Sequence, residues 1–483
     1  MTAEAAATSA LGKATDKGGR KETPNQRVKP MARTSSLSEK PRSQGPRRLA
    51  EWLNPTGAKK VHSLGDKIYK PKNLVMAWER VKANRGAGGV DGQSIEAFER
   101  QLNEQLERLH QELRDDTYRP QPVRQHLIPK AGQPGKHRAL GIPTVYDRVC
   151  QQAVLNRLEP IFEPVFDEAS FGYRKGRSAR DALSKIWREI QQGSEWIVDA
   201  DLRDFFGSAD HDKLMTLLNQ QIADGRVLGW IERMLKAGCM AASQRMETQR
   251  GVPQGGVASP LLSNILLTPF DREMRRKGYR LTRYADDWVV TCRRRAEAQA
   301  ALASATRILK ELGVTLHAEK TRIVHIQHGF EFLGYKIKRG SRPMKLAPDK
   351  IRSGARQGQL YAYPRHQAIQ HFKEQIRQRT RRKAPLSTPA VIAEINPIIR
   401  GWGNYFCKAH VRKLFNRLDR WIVCRLRSHR CKCWRNAGWR QLPEAKLYGE
   451  YRLVSLVRLI PSLALRQGRT FVKAGCGKPA RPV

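Results

Sequence analysis

The sequence predicts an α+β protein with an antiparallel sheet at its centre and a mostly helical, basic module after it. Residues 279–292 alternate apolar and polar side chains around Asp286 and Asp287, which indicates two short strands joined by a turn. Residues 195–206 have the composition of a further strand. Beyond about residue 345, apolar residues recur at helical spacing among many lysines and arginines.

The charge of the chain indicates a polyanionic partner. The 483 residues, enough for two or three domains, include 90 lysines and arginines against 45 acidic residues, a formal net charge of +45. The excess is spread along the whole length, and no apolar run approaches the roughly 20 residues of a membrane-spanning helix. Nucleic acid is therefore favoured, and an acidic membrane surface stays open as the alternative.

The N-terminal segment and the cysteines bear on location. Residues 1–50 are rich in small, polar and basic residues, which predicts a disordered basic arm. They contain no apolar signal-peptide core, and acidic residues such as Glu4 and Asp16 argue against an organellar transit peptide. Of eight cysteines only Cys431 and Cys433 are closely spaced, one residue short of a zinc-type pair, so reduced thiols and a cytoplasmic location are expected.

The segment before the predicted sheet combines helices with a cationic hairpin. A helix from Asn73 ends in a glycine cluster at residues 84–92, and Ser94 is the predicted N-cap of the next helix. Residues 123–142 predict a hairpin whose basic side chains form either a solvated face or a flap for a triphosphate. Residues 171–178 mix aromatics, glycines and basic groups, which suits contact with a nucleic-acid strand. The basic side chains of the hairpin are Lys130, Lys136, His137 and Arg138.

The strand predicted at residues 195–206 carries three aspartates. Alternation places Asp199 and Asp201 on one face and Asp204 on the other. Burying an unpaired carboxylate costs several kcal/mol, so each aspartate requires an exposed face or a cation. Asp210 is the predicted cap of the helix that follows.

A glycine-rich loop at residues 251–258 leads into a predicted helix, with Ser259 as N-cap and Pro260 at the first helical position. The paired glycines of this loop allow its backbone to approach a ligand closely. After the central hairpin, a helix at residues 296–312 and two strands around residues 330–335 are expected.

Adjacent carboxylates at a hairpin tip are costly because they repel each other. A divalent cation removes this cost, since Mg²⁺ usually takes one or two carboxylates and completes its shell with waters and phosphates. A solvated acidic turn is the alternative. Together, Asp201, Asp286 and Asp287 match two-metal phosphoryl transfer, in which two Mg²⁺ ions, with Mn²⁺ as a possible substitute, activate a 3′-hydroxyl and neutralise the leaving pyrophosphate.

The region after residue 345 is predicted to grip phosphate. Over residues 366–383, Ile369, Phe372 and Ile376 form one apolar stripe, and the rest of the helix surface is crowded with arginine and lysine. A merely solvated basic face is the alternative.

These motifs, in this order, resemble the reverse transcriptases of the maturase type that group II introns encode. The resemblance covers nearly all of residues 70–450, and an ordered series of this length is very specific. The matching motifs lie at residues 128–130, 138–144, 147–148, 158–162, 171–178, 201–206, 251–264, 284–287, 319–321, 332–335 and 400–406.

The resemblance implies a right-hand polymerase fold with fingers, an antiparallel palm sheet and an all-α basic thumb. The implied activity is RNA-directed DNA synthesis, with binding of the intron RNA to promote splicing and retrohoming. The implied partners are the intron RNA as template, a DNA primer or target, and dNTPs. The expected divisions are a basic arm (1–50), an N-terminal extension and fingers (51–190), a palm (191–345), a thumb or maturase domain (346–455) and a basic tail (456–483), the reverse transcriptase domain covering about 110–340.

Site residues follow from the same resemblance. Metal ligation is implied for Asp201, the Leu202 carbonyl, Asp286 and, more loosely, Asp287. Phe206 would lie under the incoming sugar and exclude a 2′-hydroxyl, and a simple core aromatic is the alternative. Nucleotide contacts are implied for Lys130, Arg138 and Gln254, and contacts to nucleic acid are expected at Arg174, Arg177, Gly255, Lys320, Arg377, Arg381, Arg382 and Trp402.

The chain departs from the family pattern at a few positions. Ala139 stands where the family usually has proline, and Asp204 and Gly207 exchange the family's usual glycine and aspartate, so Asp204 is expected to alter local contacts. Neither a His-Asn-His endonuclease motif nor its two Cys-x-x-Cys pairs is found, so cleavage of a DNA target is not expected. A splicing-only RNA-binding maturase and a reverse transcriptase of the retron or diversity-generating kind are the alternatives. An RNA-dependent RNA polymerase is less favoured because Phe206 would crowd a ribonucleotide.

Overall fold

A computed structural model of the chain describes residues 53–54, 57–129, 135, 137–241, 244–340, 359–381, 385–431 and 442–461. The predicted basic arm and tail, together with Lys130, Lys136 and Arg382, lie outside these residues. Among the described helices, none has the length and apolar character needed to cross a membrane.

Helices and a hairpin precede the central sheet. The helix Pro71–Asn84 ends where Arg85 takes a left-handed φ of 46°, and the Ser94 hydroxyl accepts from the Ala97 N–H, which confirms the predicted N-cap. The predicted hairpin is also confirmed, with Ile128 opposite Arg138. These elements are α1 (Gly65–Ile68), α2 (Pro71–Asn84), α3 (Ile95–Arg100), α4 (Leu102–Arg114), β1 (Val123–Pro129), β2 (His137–Ile142), α5 (Val145–Phe162) and α6 (Ala179–Gln191).

The next region builds the central four-stranded antiparallel sheet. Its elements are β3 (Trp196–Asp201), α7 (Phe205–Ser208), α8 (His211–Asn219), α9 (Gly225–Lys236), β4 (Cys239–Ala241), β5 (Gln244–Met246), α10 (Ser259–Arg276), β6 (Arg280–Tyr284), β7 (Asp287–Cys292), α11 (Arg295–Glu311) and β8 (Arg322–His325). The strand order is β6-β7-β3-β8, and β2-β1-β4-β5 form a second sheet.

The two faces of the central sheet bury different clusters. On one face, Val198 and Trp288 belong to the large core that includes residues of α10 and α11. On the other face, Ile197 and Val289 belong to a second cluster shared with α6 and the C-terminal helices. Because Asp199, Asp201 and Asp287 alternate with the first set, they lie on the second face.

Two predicted boundaries are wrong by a few residues. The strand expected to reach Phe206 ends at Asp201, and Asp204 lies outside it with a left-handed φ of 40°, so the face predicted for Asp204 is incorrect. Helix α10 begins at Ser259 itself with Ala258 as N-cap, and the Ser259 hydroxyl donates to the Pro253 carbonyl instead of capping.

The described residues of the C-terminal region add a small sheet and three long helices. Its elements are β9 (Phe330–Phe332), β10 (Tyr335–Arg339), β11 (Leu360–Pro364), α12 (His366–Arg379), α13 (Thr388–Phe406) and α14 (Arg412–Cys431). Strand β11 was not predicted, and it pairs antiparallel with β10. Phe372 and Ile376 are buried, as the predicted apolar stripe requires. The α+β class, with a palm-type antiparallel sheet before a helical region, is confirmed.

Candidate active site

The aspartates of the central hairpin lie at a two-residue turn. Tyr284 pairs with Asp287, so Ala285 and Asp286 form the turn between β6 and β7. Ala285 has a φ of 59°, in the left-handed region that favours glycine in tight hairpins. The surrounding structure must therefore hold this turn in a conformation that alanine does not prefer.

The pairing register of the sheet places Asp201 next to the hairpin aspartates. It ends β3 directly opposite Asp287 of β7, and Asp286 is the adjacent turn residue. Facing residues in an antiparallel pair have Cα atoms about 4.5–5.5 Å apart. The fold therefore brings together the three aspartates that the sequence separates by about 85 residues.

These carboxylates repel one another in the absence of cations. Burial raises the pKa of Asp286, and the charge of Asp201 raises it further. Burial, followed by the charges of Asp199, Asp201 and Asp286, raises the pKa of Asp287 to about 8. Two basic side chains compensate in part: Lys320 contacts Asp201 at 2.5 Å and Arg322 contacts Asp199 at 2.9 Å.

The donor set fits a hard divalent cation completed by its substrate. Within the described ranges, no three acidic, histidine or cysteine side chains form a ready-made metal cage. Mg²⁺ does not require one, because it commonly binds through one or two carboxylates plus waters and substrate phosphates. Asp201 at the end of β3 and Asp286 in the neighbouring turn offer carboxylates of this kind, and the implied Leu202 carbonyl follows Asp201 in the chain. The backbone bonds of the bridge between Leu202 and Leu316 use the Asp201 carbonyl and the Arg203 N–H, not the Leu202 carbonyl.

Two residues predicted to contact the nucleotide are joined in the structure. The Arg138 guanidinium on the hairpin donates to the Gln254 side-chain oxygen at 2.6 Å. The Gly141 N–H donates to the Gln254 carbonyl at 2.6 Å, which ties the glycine loop to β2. Gly255 has a φ of 111°, and a Cβ there would lie 2.7 Å from the Gly141 carbonyl, so the loop packs against the hairpin at its glycine.

Phe206 is fixed at the base of the same loop. Its side chain is 6 % exposed and packs edge-on against Phe205, with ring centroids 5.4 Å apart. Its carbonyl accepts from the Val252 N–H at 2.6 Å. Phe206 and the glycine-rich loop are therefore directly connected. This packing is compatible with both roles considered for Phe206, contact with the nucleotide sugar and a simple core aromatic.

A buried ion pair supports the catalytic turn. Arg283 on β6 and Asp271 on α10 are both fully buried and make two hydrogen bonds of 2.5 and 2.7 Å. Arg283 also donates to the Ala285 carbonyl at 2.8 Å and to the Ser170 hydroxyl at 2.8 Å. Asn264 accepts from Arg283 at 3.0 Å and donates to the Gly172 carbonyl at 3.0 Å.

This network was not predicted from the sequence, although the sequence pattern around Arg283 indicates a buried ion pair. Leu281, Arg283 and Ala285 are spaced two residues apart and are all buried. An arginine between two apolar neighbours on a buried face requires an acidic partner. Asp271, between Phe270 and Met274 on the buried face of α10, is that partner.

The segment at residues 171–178 touches the turn, but one of its predicted roles is wrong. A Cβ at Gly172 would lie 2.3 Å from the Ala285 nitrogen, so only glycine permits this approach. Arg174 is not available to a nucleic-acid strand, because its side chain is 4 % exposed and donates to Glu163, the Asp167 carbonyl and the Ser170 carbonyl. Arg177 is half-buried over the Phe171 ring.

The predicted contacts in the C-terminal region divide into two groups. Arg377 and Arg381 are exposed. Trp402 is half-buried and stacks on Phe372 at 4.5 Å, so its ring contributes to the helical core. A nucleic-acid contact for Trp402 is therefore not supported by its packing. Lys320 lies at the active site, where it contacts Asp201, and its side chain is 53 % exposed, so the contact to nucleic acid expected of it stays a prediction.

The stability of the metal-free protein is expected to fall as pH rises from about 4 towards about 8. In this range the folded protein keeps the Asp287 proton, whose pKa is raised from 3.8 to about 8, whereas the unfolded chain has lost it, so rising pH favours unfolding. The decrease due to Asp287 is expected to reach about 2–5 kcal/mol. Denaturant unfolding in EDTA at several pH values would measure it, with Asp287→Asn as the comparison. If the free energy of unfolding changed equally with pH in the two proteins, this electrostatic account would be contradicted.

Comparison with known proteins identifies two domains in the chain. A family model for the reverse transcriptase (RNA-dependent DNA polymerase) domain matches residues 128–337, and one for the group II intron, maturase-specific domain matches residues 369–446. Protein YkfC of Escherichia coli is 30 % identical over 336 residues, which are 61 % of this chain and 88 % of YkfC. The group II intron-encoded protein LtrA of Lactococcus lactis subsp. cremoris is 39 % identical over 207 residues, which are 42 % of this chain and 34 % of LtrA. Among solved structures, a partial Cas6-RT-Cas1–Cas2 complex is 27 % identical with a TM-score of 0.35 and covers 52 % of this chain and 42 % of that chain.

The palm-type sheet, the paired aspartates and the matched domain define a reverse transcriptase, an RNA-directed DNA polymerase. With the maturase-specific domain after it, the chain belongs to the reverse transcriptases and maturases encoded by group II introns. The alignment with LtrA covers only about a third of that protein's length.

Proposed function

We propose that this chain copies RNA into DNA at the Asp201–Asp286–Asp287 site and binds its own intron RNA to promote splicing and retrohoming. The observation that supports the proposal most strongly is the register that sets Asp201 opposite Asp287 beside the turn residue Asp286. Three carboxylates at one sheet edge are unfavourable without cations, and phosphoryl transfer supplies both cations and phosphates.

The residues around the cluster have distinct tasks in this proposal. When bound there, two Mg²⁺ ions would lower the pKa of the primer 3′-hydroxyl and neutralise charge on the leaving pyrophosphate. Asp201 and Asp286 would hold them, with Asp287 and the Leu202 carbonyl as supporting groups. Arg138, already placed by Gln254, would bind the triphosphate, and a planar guanidinium suits phosphate oxygens.

The function is tested by primer extension with the full chain. A DNA primer on an RNA template should be extended by the wild-type protein with Mg²⁺, and Asp201→Asn should reduce the rate by at least about 10³-fold. Binding of the intron RNA should be retained by the variant. If the wild-type protein promotes splicing but makes no DNA, the splicing-only alternative holds; if Asp201→Asn extends normally, the site is wrong.

The sugar selectivity of the enzyme is expected to depend on Phe206. Phe206→Ala should open space beside the nucleotide sugar and raise the incorporation of ribonucleotides relative to deoxyribonucleotides at least about tenfold, since a lost steric contact of this size is worth roughly 1–3 kcal/mol. Single-nucleotide incorporation with each substrate would measure the ratio. Phe206→Tyr keeps the ring and should keep the discrimination, and an unchanged ratio in Phe206→Ala would leave Phe206 as a core residue only.

RNA affinity is expected to fall steeply with salt. With a formal charge of +45, the chain should neutralise several phosphates, so affinity should drop at least about 100-fold between 50 and 200 mM salt. Equilibrium binding at a series of salt concentrations would give the slope, and Arg377→Gln should reduce that slope by about one. A nearly flat salt dependence would rule out phosphate contacts as the main source of affinity.

A further inference from the structure

The small sheet β9-β10-β11 has one face that the core does not cover. Tyr335, Ile337 and Arg339 of β10 are buried, and Lys336 and Lys338 between them are exposed. On β11 the same alternation buries Leu360, Ala362 and Pro364 and leaves Tyr361 and Tyr363 half-exposed. In the antiparallel register Lys336 faces Tyr363 and Lys338 faces Tyr361, so all four side chains share one outer face.

Two further rings extend this outer face. Tyr361 and Tyr363 lie nearly parallel, at 11° with centroids 5.9 Å apart. His410 contacts both rings, at 5.0 and 6.0 Å, and Trp187 of α6 stacks on His410 at 6.4 Å. We call these four rings, with Lys336 and Lys338, the aromatic platform.

The rings of the platform are held in place, but the two tyrosines are not part of the hydrophobic core. The His410 backbone N–H donates to the Ala362 carbonyl at 2.9 Å, and the His410 side-chain Nδ1 accepts from the Ala362 N–H at 3.2 Å, so the imidazole is fixed at the edge of β11. Trp187 packs against the neighbouring buried cluster, whereas Tyr361 and Tyr363 are not members of it. Rings that are oriented in advance lose little freedom when they bind a flat ligand.

The charge of this face matches a polyanion. Lys336 and Lys338 are exposed on this face. Glu331 lies opposite Lys336 and is the acidic residue of β9 on this face. Aromatic rings interleaved with cations on an open sheet face are the combination that stacks unpaired bases and contacts the phosphates between them.

We propose that the aromatic platform binds a single strand of RNA, with bases stacked on Tyr361 and Tyr363 and phosphates beside Lys336 and Lys338. The choice of RNA as the strand rests on the proposed function, in which the template is RNA. Stacking itself requires only an unpaired base, so the platform takes a strand with little regard to its sequence.

The test uses the full chain without dNTPs and in EDTA, so that it does not depend on catalysis. An unlabelled primer–template duplex saturates the polymerase cleft, and a labelled 12-nucleotide single-stranded RNA is then titrated. Tyr361→Ala/Tyr363→Ala should weaken binding of this RNA at least tenfold, whereas Tyr361→Phe/Tyr363→Phe, which keeps both rings, should stay within twofold of wild type. A 4-thiouridine version of the RNA should crosslink to the peptide that contains Tyr361 and Tyr363.

A second variant covers the case in which the alanine protein does not fold, which its melting temperature would show. Lys336→Gln/Lys338→Gln should reduce the salt slope of binding for the same RNA by about one to two. Binding unchanged in both variants, an equal loss in the phenylalanine variant, or tighter binding of a DNA 12-mer than of the RNA would overturn the proposal. None of these outcomes depends on whether the protein makes DNA.

Discussion

Asp286→Asn is expected to abolish DNA synthesis while making the metal-free protein more stable. Asparagine keeps the shape of the turn residue but cannot supply the charge that holds a divalent cation, so the extension rate should fall at least about 10³-fold. The same change removes one of the carboxylates that raise the pKa of Asp287, so stability in EDTA should rise by about 1 kcal/mol. A site that gains stability on losing its function is what a cluster built for a ligand should show.

The comparison variant for this experiment is Asp204→Asn. Asp204 is an acidic residue of the palm that lies outside the carboxylate cluster and has a φ of 40°, a conformation that asparagine also adopts readily. The Asp204→Asn protein should therefore retain extension activity and show no gain of stability in EDTA. Primer extension and denaturant unfolding on both variants would settle the point, and loss of stability in Asp286→Asn would contradict the electrostatic description of the site.

The second large effect is expected from Asp271→Asn. This change leaves the fully buried Arg283 guanidinium without its charged partner, and an uncompensated buried charge costs about 3–5 kcal/mol. Arg283 also holds the Ala285 carbonyl, so the strained turn should loosen and extension activity should fall even at temperatures at which the protein remains folded. Unfolding curves and extension rates at low temperature would measure both effects.

A matched control lies two residues further along α10. Glu273 pairs with Arg276 at 2.7 Å on the protein surface, where an ion pair contributes only about 0–1 kcal/mol. Glu273→Gln should therefore change stability by less than 1 kcal/mol and leave the extension rate unaltered. If Asp271→Asn is as mild as Glu273→Gln, the buried pair does not support the catalytic turn.

Local sequence patterns predicted the elements that carry the chemistry. The alternation around Asp286 and the apolar run before Asp201 identified the three strands of the site, because period-two patterning reports directly on a half-buried strand. The resemblance to a known family then implied that these strands lie in one antiparallel palm sheet. The register that sets Asp201 opposite Asp287 had to come from the structure, since a strand can pair with its partner in several registers.

The features that sequence reasoning missed depend on distant partners. Arg174 was predicted to contact nucleic acid because it lies in a basic, glycine-rich segment, but its guanidinium is buried and donates to Glu163 and two backbone carbonyls. Asp204 continues the strand pattern, yet the chain turns before it, because Leu202 bridges to Leu316 and α7 begins at Phe205. Strand β11 is five residues long and begins about twenty residues after β10 ends, so local periodicity gave no sign of the pairing between them.

The central claim is that Asp201 and the hairpin aspartates jointly hold divalent cations at the primer end. Equilibrium binding of Mn²⁺, used in place of Mg²⁺, should be measured by electron paramagnetic resonance on the full chain with a dNTP and a primer that lacks its 3′-hydroxyl. The wild-type protein should bind two Mn²⁺ ions per chain at this complex, and Asp201→Asn and Asp286→Asn should each lose that binding while still binding the primer–template. Equal Mn²⁺ binding by the wild-type protein and both variants would show that these carboxylates are not the metal site.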